Sequence, residues 1–172
     1  MKKNTLGLLA GLCVLLAGCG GTKYSNTFSG SEAGVSISIA QELTVKKDTF
    51  LLDSEITTSV TNTIGALAGL GGGFTETYTC LESGTLEAVE GRENVYKIVT
   101  VKYVFSGYEI EGVGATVYAK LTKQSMKSVY NFTEEEVENF LKGKKVVKEL
   151  EENDFYTSYA KVDPETKSFV AA

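Results

Sequence analysis

Alternation of apolar and polar residues is the feature that most limits what this chain can fold into. Val35, Ile37 and Ile39 alternate with serines, and Leu43 and Val45 continue the two-residue period. A period of two places every second side chain on the same face of a β-strand, whereas an amphipathic helix repeats its apolar positions every three or four residues. The pattern therefore predicts strands that each bury one face, as antiparallel sheets do.

Further strands follow with the same pattern, separated by short breaks rich in Gly and polar residues. Strands are predicted at 49–56, 74–81, 85–89, 95–105 and 108–121, and turns at 46–48, 83–84, 91–94 and 106–107. These breaks have the composition of turns. We therefore expect a mainly β fold, an antiparallel meander curled into a sheet or barrel. An open α+β sheet and a β-sandwich are the alternatives.

One helix is predicted in the C-terminal half of the chain. Thr133 and Glu136 have the spacing of a capping box, and Phe132 and Val137 have the spacing of a hydrophobic staple. Gly143 is placed to end the helix in the left-handed conformation. The helix is expected to cover one side or one mouth of the sheet.

The residues after this helix are predicted to complete the sheet. Residues 144–150 have the pattern of a short strand or of a continued helix, and residues 155–170 that of a hairpin. The turn of this hairpin contains Pro164, the only proline of the chain. Proline fixes φ at a value that suits a turn.

The first 19 residues are organised as an export signal. Lys2 and Lys3 precede an apolar run over 6–17, which is too short to span a bilayer as a helix. The run ends in Leu16, Ala17, Gly18 and Cys19. This segment resembles bacterial lipoprotein precursors, whose lipobox places small residues directly before a Cys that is acylated. The resemblance implies that residues 1–18 are removed and that acylated Cys19 attaches the protein to a lipid bilayer of the cell envelope, on the exported side.

The resemblance also divides the mature chain into two parts. Residues 19–34 are predicted to be the lipidated Cys and a flexible tether, because the segment is rich in Gly, Ser, Thr and Asn and has no periodicity. Such a tether reaches on the order of 20 Å. Residues 35–172 are predicted to be a single β-rich domain. The cadence of its strands is similar to that of small lipocalin-like lipoproteins, although the Trp of the usual lipocalin start is absent.

Composition excludes several classes of function. The chain has 17 basic and 22 acidic side chains, a net charge of -5, so a nucleic-acid partner is not expected. There is no His, which removes the commonest proton shuttle and metal ligand. Once Cys13 is cleaved off and Cys19 is acylated, Cys80 is left without a partner for a disulfide, and its strand-like surroundings predict a thiol buried in the core.

Carboxylates offer the remaining chemistry for catalysis. Glu109 and Glu111 share one face of a predicted strand, and Glu82 and Glu87 flank a predicted turn, so either pair approaches the spacing of an acid and a base. Solvated strand faces carry the same pattern. Since no nucleophile lies in a recognisable turn and no His can activate one, we expect no enzymatic activity, no cofactor and no metal site.

A Gly-rich segment at 64–73 separates two predicted strands. Ile64, Leu67, Leu70 and the following Phe74 are the candidates for contact with a ligand, if the segment is a lid; the alternatives are a turn folded onto the core and a loop that touches lipid or a partner. Candidate pocket tyrosines on the predicted strands are Tyr96, Tyr103, Tyr108 and Tyr118. We expect a surface lipoprotein that binds an apolar or amphipathic small molecule or an envelope component. The alternative is a protein without a cavity that docks onto another envelope protein.

Overall fold

The computed structural model describes residues 21–32, 34–61 and 72–172, and these form eight strands and two α-helices. The strands are β1 (Thr22–Glu32), β2 (Val35–Lys46), β3 (Thr49–Val60), β4 (Phe74–Ala88), β5 (Val95–Gly112), β6 (Val146–Glu149), β7 (Tyr156–Asp163) and β8 (Ser168–Ala171). The helices are α1 (Ala115–Tyr130) and α2 (Glu134–Leu141), and a short 3-10 helix spans Glu152–Asp154. Neither α-helix combines the length and the apolar composition needed to cross a membrane.

Seven of the strands close into a barrel. Strands β1 to β5 form an antiparallel meander, and β5 pairs with β4 along one side and with β7 along the other. The ring is completed by β8, which pairs with β7 and, in parallel, with β1 through Ser25 and Ser168. The predicted meander and barrel are thereby confirmed. The open α+β sheet and the β-sandwich are excluded, since the strands form one closed sheet.

Two clusters of buried side chains fill the space that the strands enclose and the space under the helices. The barrel core consists of Tyr24, Leu43, Phe50, Leu86, Ile98, Ala160, Val162 and Phe169. The helix core consists of Cys80, Tyr103, Phe105, Tyr108, Met126, Phe132, Val137, Phe140 and Val146. Each large apolar side chain buried in this way stabilises the fold by about 1.5–3 kcal/mol. Strands β3, β4 and β5 thus bury one face, whereas β1 buries only Tyr24 and β2 only Leu43.

Strands β4 and β5 are longer than the sequence predicted, because two predicted turns are interior positions. The pairs 83–84 and 106–107 lie within continuous strands of 15 and 18 residues. The β4–β5 register shifts between Ser83 and Gly84, where a Cβ on Gly84 would lie 1.9 Å from the carbonyl oxygen of Val99. Glycine in a strand often marks a bulge or a close approach of two backbones, and here it permits the sharp bend of a closed barrel.

The structure has two helices where the sequence predicted one. Residues 108–121 were expected to form a strand, but β5 ends at Gly112, whose φ is +116°, and α1 begins at Ala115. The short run from Val113 to Ala119 has the alternation of a strand, yet its buried neighbours Thr122 and Met126 follow the four-residue spacing of a helix. The prediction of a single helix was therefore wrong.

The second helix, α2, confirms the predicted start and end signals. Thr133 Oγ1 accepts from the backbone N–H of Glu136, and the Glu136 carboxylate accepts from the N–H of Thr133. Val137 is fully buried in the helix core, and Gly143 has a φ of +72°. Local signals therefore set the start and the end of this helix, and burial of Val137 and Phe140 holds it on the sheet.

The predicted flexible tether is replaced by a strand over most of its length. Strand β1 pairs with β2 from Thr22 opposite Val45 to Glu32 opposite Val35. The prediction failed because β1 is mostly polar and buries only Tyr24, so hydrogen bonds to β2 rather than a hydrophobic face define it. Cys19 and the lipobox residues Leu16, Ala17 and Gly18 lie outside the described residues.

Candidate functional site

An open cleft lies where β5 changes partners. Strand β5 pairs with β7 over Val95–Thr100 and with β6 over Lys102–Phe105, so β6 and β7 diverge at this point. The space between them has a volume of about 780 Å³ and is bounded by the end of α1 and by the 3-10 helix. Its polar lining consists mainly of carboxylates and tyrosines, from Glu82, Glu149, Glu151, Asp154, Tyr103, Tyr130 and Tyr156.

Glu82 is the carboxylate that lies deepest in this cleft. It is carried by β4, opposite Tyr103 of β5, and its Oε2 accepts a hydrogen bond of 3.1 Å from the Thr100 hydroxyl. Burial raises the pKa of the Glu82 carboxyl, and the hydrogen bond from Thr100 partly offsets the rise. Among the described residues, no Lys or Arg nitrogen lies within 4.0 Å of it. Glu82 is thus a desolvated acid held by one neutral donor.

Three tyrosines give the cleft its aromatic character. The rings of Tyr103 and Tyr130 meet edge to face with centroids 5.4 Å apart, while Tyr156 stands 57% exposed at the rim. Burial raises the pKa of both Tyr103 and Tyr130, so their phenols remain neutral at physiological pH. Such neutral rings offer electron-rich faces that attract cations.

The one cation in the lining is committed to other groups. Lys148 donates to the backbone carbonyl of Asn131 at 2.8 Å and pairs with Glu136 of α2 at 3.2 Å. On the opposite side, Glu149 pairs with Lys102 at 3.3 Å. Glu151 and Asp154 have no ion pair among the residues that the structure describes. The cleft is therefore net negative.

The structure separates the carboxylate pairs that the sequence singled out. Glu82 faces the cleft, but Glu87 is exposed on the same strand, five residues beyond it. Glu109 and Glu111 share an exposed face of β5, where they border a shallow groove with Thr75 and Thr77. No three Cys, Asp or Glu side chains within the described ranges gather closely enough to hold a metal ion.

Of the predicted ligand contacts, Phe74 is the one that the structure describes, and it does not line this cleft. Ile64, Leu67 and Leu70 are outside the described residues, and Phe74 is 4% exposed and stacks on Tyr118 of α1 with ring centroids 3.6 Å apart. The structure therefore places Phe74 in packing between sheet and helix. Of the candidate pocket tyrosines, Tyr103 lines the cleft. Tyr130 was missed because the helix that carries it was predicted as a strand that ended before it.

Other buried polar groups of the helix core lie outside the cleft. The Cys80 thiol is 5% exposed and unpaired, which confirms the predicted core thiol, and burial raises its pKa. Thr122 of α1 donates a hydrogen bond to the buried carboxylate of Glu76. Burial, with the nearby charge of Glu76, also raises the pKa of Tyr108. These groups hold α1 against the sheet.

The cleft offers what a small cationic ligand needs. Its carboxylates supply negative charge, its tyrosines supply aromatic faces, and Val129 and Leu150 supply apolar contacts. The chain matches no protein-family model, no curated protein and no solved structure.

Proposed function

We propose that this protein is a lipid-anchored envelope protein that binds a small amphipathic molecule with a positive charge in the cleft between β6 and β7. The observation that carries the proposal is Glu82, a carboxylate largely removed from water that faces an open cleft with Thr100 as its only hydrogen-bond donor among the described residues. A buried carboxylate is costly without an opposite charge. A bound cation supplies that charge.

The other lining residues favour an organic cation over a simple metal ion. Tyr103 and Tyr130 present aromatic rings beside Glu82, and a cation–π contact contributes about 0.5–2 kcal/mol, depending on how far it is shielded from water. Val129 and Leu150 offer apolar surface for the uncharged part of the molecule. A volume of about 780 Å³ lies within the range of small-molecule sites.

The location in the envelope is supported by the N-terminal sequence. The basic start, the apolar run and the order Leu16, Ala17, Gly18, Cys19 match a lipoprotein precursor. Two or more acyl chains on Cys19 would hold the protein persistently at a bilayer. Lipid headgroups that contain an ammonium group fit the charge of the cleft.

Calorimetric titration of the mature chain tests the proposed ligand class. Choline is the cationic probe, and 3,3-dimethylbutan-1-ol is its uncharged analogue of the same shape. We expect choline to bind at least about tenfold more tightly than the alcohol, since only choline compensates the Glu82 charge. Glu82→Gln is expected to remove this preference, and Glu87→Gln, on the same strand but exposed, to keep it. Equal binding of both probes to the unmodified protein, or choline binding unchanged in Glu82→Gln, would contradict the proposal.

A second candidate function is docking onto another envelope protein through α1. Val117 and Leu121 lie on the outer side of this helix, 38% and 43% exposed, and Val113 just before it is 81% exposed. Scattered apolar residues are normal on a surface, but Val117 and Leu121 lie four residues apart on one face of α1, and exposed Val113 precedes the helix. Leu121→Lys is expected to abolish co-purification of a partner from detergent-solubilised membranes, whereas Ser128→Lys, also exposed on α1, is expected to preserve it.

A further inference from the structure

The position at which β1 begins limits how far the barrel can stand from an anchor at Cys19. Thr22 already pairs with Val45, and Gly21 is packed so closely on β2 that an added Cβ would lie 2.8 Å from the carbonyl oxygen of Val45. Only Gly20 separates Gly21 from Cys19. Consecutive Cα atoms are about 3.8 Å apart, so the Cα of Cys19 lies within about 8 Å of that of Gly21 in any conformation.

This end of the barrel is formed by three turns. Thr22 lies beside the end of β2, next to the β2–β3 turn at 47–48, whose Asp48 carbonyl accepts from the N–H of Leu86. Strands β4 and β5 turn at 89–94, and β7 and β8 turn at 164–167, where the Lys167 carbonyl accepts from the N–H of Ser25 at 2.8 Å. We call this end, with its turns at 47–48, 89–94 and 164–167, the anchor end.

The opposite end lies at the other tips of the long strands. Glu32, Val35, Val60 and Phe74 stand side by side there, and Gly112 of β5 pairs with Phe74. Strand β1 has 11 residues and rises about 3.4 Å per residue, so the two ends of β1 are about 34 Å apart. We call this end the far end; the Gly-rich segment joins β3 to β4 there.

We infer that the anchor end faces the lipid layer and contacts its headgroups, while the far end points away from the membrane. The inference rests on the proposed acylation of Cys19. Fatty acyl chains hold the residue that carries them at the bilayer surface, and the short connection of Gly20 and Gly21 keeps the start of β1 close to it.

The chemistry of the turns at the anchor end fits contact with headgroups. Lys47 and Asp48, Arg92 and Glu93, and Glu165 and Lys167 are all exposed there, so both signs of charge are present. Charged side chains avoid the hydrocarbon layer but are well solvated among headgroups. The anchor end is therefore expected to rest on the bilayer without entering its core.

Fluorescence quenching in vesicles tests this orientation. The chain with its own signal is produced in a bacterium that acylates lipoproteins, in a Cys80→Ala background, and placed in phosphatidylcholine vesicles that contain a lipid with a nitroxide on its headgroup. Single fluorescent labels are attached through Asp48→Cys or Glu165→Cys at the anchor end, and through Glu32→Cys or Glu111→Cys at the far end. We expect the anchor-end labels to lose about half of their emission and the far-end labels to lose almost none, because strands tilted by about 35–45° still hold them about 25 Å higher.

A matched variant tests the short connection itself. Insertion of about 15 Gly and Ser residues after Gly20 introduces a flexible tether. The insertion is expected to abolish the difference in quenching between the two ends. Equal quenching at both ends of the unmodified protein, or a difference that the insertion leaves intact, would overturn the inferred orientation. The state of the anchor is read separately by mass spectrometry of the N-terminal peptide. If that peptide carries no acyl group, the proposed anchoring fails and this inference fails with it.

Discussion

Gly84 shows how one residue determines the path of two strands. It lies at a bulge of β4, where the backbone of Val99 approaches so closely that no side chain fits. This bulge was not predictable from the sequence, since Ser83 followed by Gly84 also has the composition of a turn. A turn and a bulge differ in the path of the neighbouring strand. Here that path is the path of β5, which follows later in the chain.

Gly84→Ala is expected to destabilise the protein by about 1–3 kcal/mol, because the added Cβ forces β4 and β5 apart. The measurement is the free energy of unfolding in urea. Gly30→Ala is the control, since a Cβ on Gly30 meets only the Phe28 ring at 3.4 Å. A loss of stability in the control equal to that in Gly84→Ala would argue against the close approach.

Glu82 is a second residue whose role depends on its surroundings. The sequence paired it with Glu87, as if the two flanked a turn, and could not show that they would lie in such different environments. The continuous strand leaves Glu87 in solvent and places Glu82 beside Tyr103 and Thr100. Only the closed barrel brings these groups together.

The raised pKa of Glu82 predicts a dependence of stability on pH. The folded protein holds the Glu82 proton more tightly than the unfolded chain does, so its stability falls as the pH rises from the usual value of 4.5 through the raised pKa. Glu82→Gln is expected to lack this loss of stability. The difference in stability between Glu82→Gln and the unmodified protein should therefore grow in favour of the variant across the same pH range. Thermal unfolding from pH 4 to pH 8 measures the difference, with exposed Glu87→Gln as the control. A difference that does not change with pH would contradict burial of the Glu82 charge.

At the scale of elements, the two helices differ in how far nearby residues in the sequence predict them. Helix α2 was predictable because its capping box, its staple and Gly143 lie within a dozen residues. Helix α1 begins after Gly114 without a capping side chain, and its buried residues are Thr122 and Met126, neither of which stands out as a core residue in the sequence. Its position depends on contacts with the sheet, such as the stacking of Tyr118 on Phe74.

Thr133→Ala is expected to cost about 1 kcal/mol of stability, since it removes the side chain that accepts from the N–H of Glu136. Chemical denaturation measures the change. Glu135→Gln is the matched control on the same turn, because Glu135 is exposed and takes no part in the capping box. If both variants were equally stable, the cap would contribute nothing measurable.

At the scale of the whole molecule, the sequence predicted the meander from β2 to β5 and the hairpin of β7 and β8, but not strand β1, which closes the ring with β8. Strand β1 was predicted as a tether because its composition is polar. The contact of β1 with β8 pairs Ser25 with Ser168, residues 143 positions apart, and leaves no pattern in either segment. The cleft could not be predicted from the sequence either, since β4, β5, β6 and α1 each supply part of its lining.

Phe169→Ala tests how much the closing strand contributes to the barrel. Phe169 of β8 is 7% exposed in the barrel core, whereas its neighbour Val170 is 54% exposed. We expect Phe169→Ala to cost about 3–5 kcal/mol and Val170→Ala less than about 0.5 kcal/mol. Calorimetric unfolding compares the two. Similar melting temperatures for both variants would show that β8 is not part of the cooperative core.

The seam between β1 and β8 also has a consequence for biogenesis. If the chain is exported, it crosses the membrane as an extended thread, and the residues that carry β8 cross long after those that carry β1. The ring lacks its closing member until then, and contacts between such distant residues are slow to form. While an exported chain is crossing the membrane, its barrel therefore stays open until residue 168 has passed through. A closed barrel then does not obstruct the export channel.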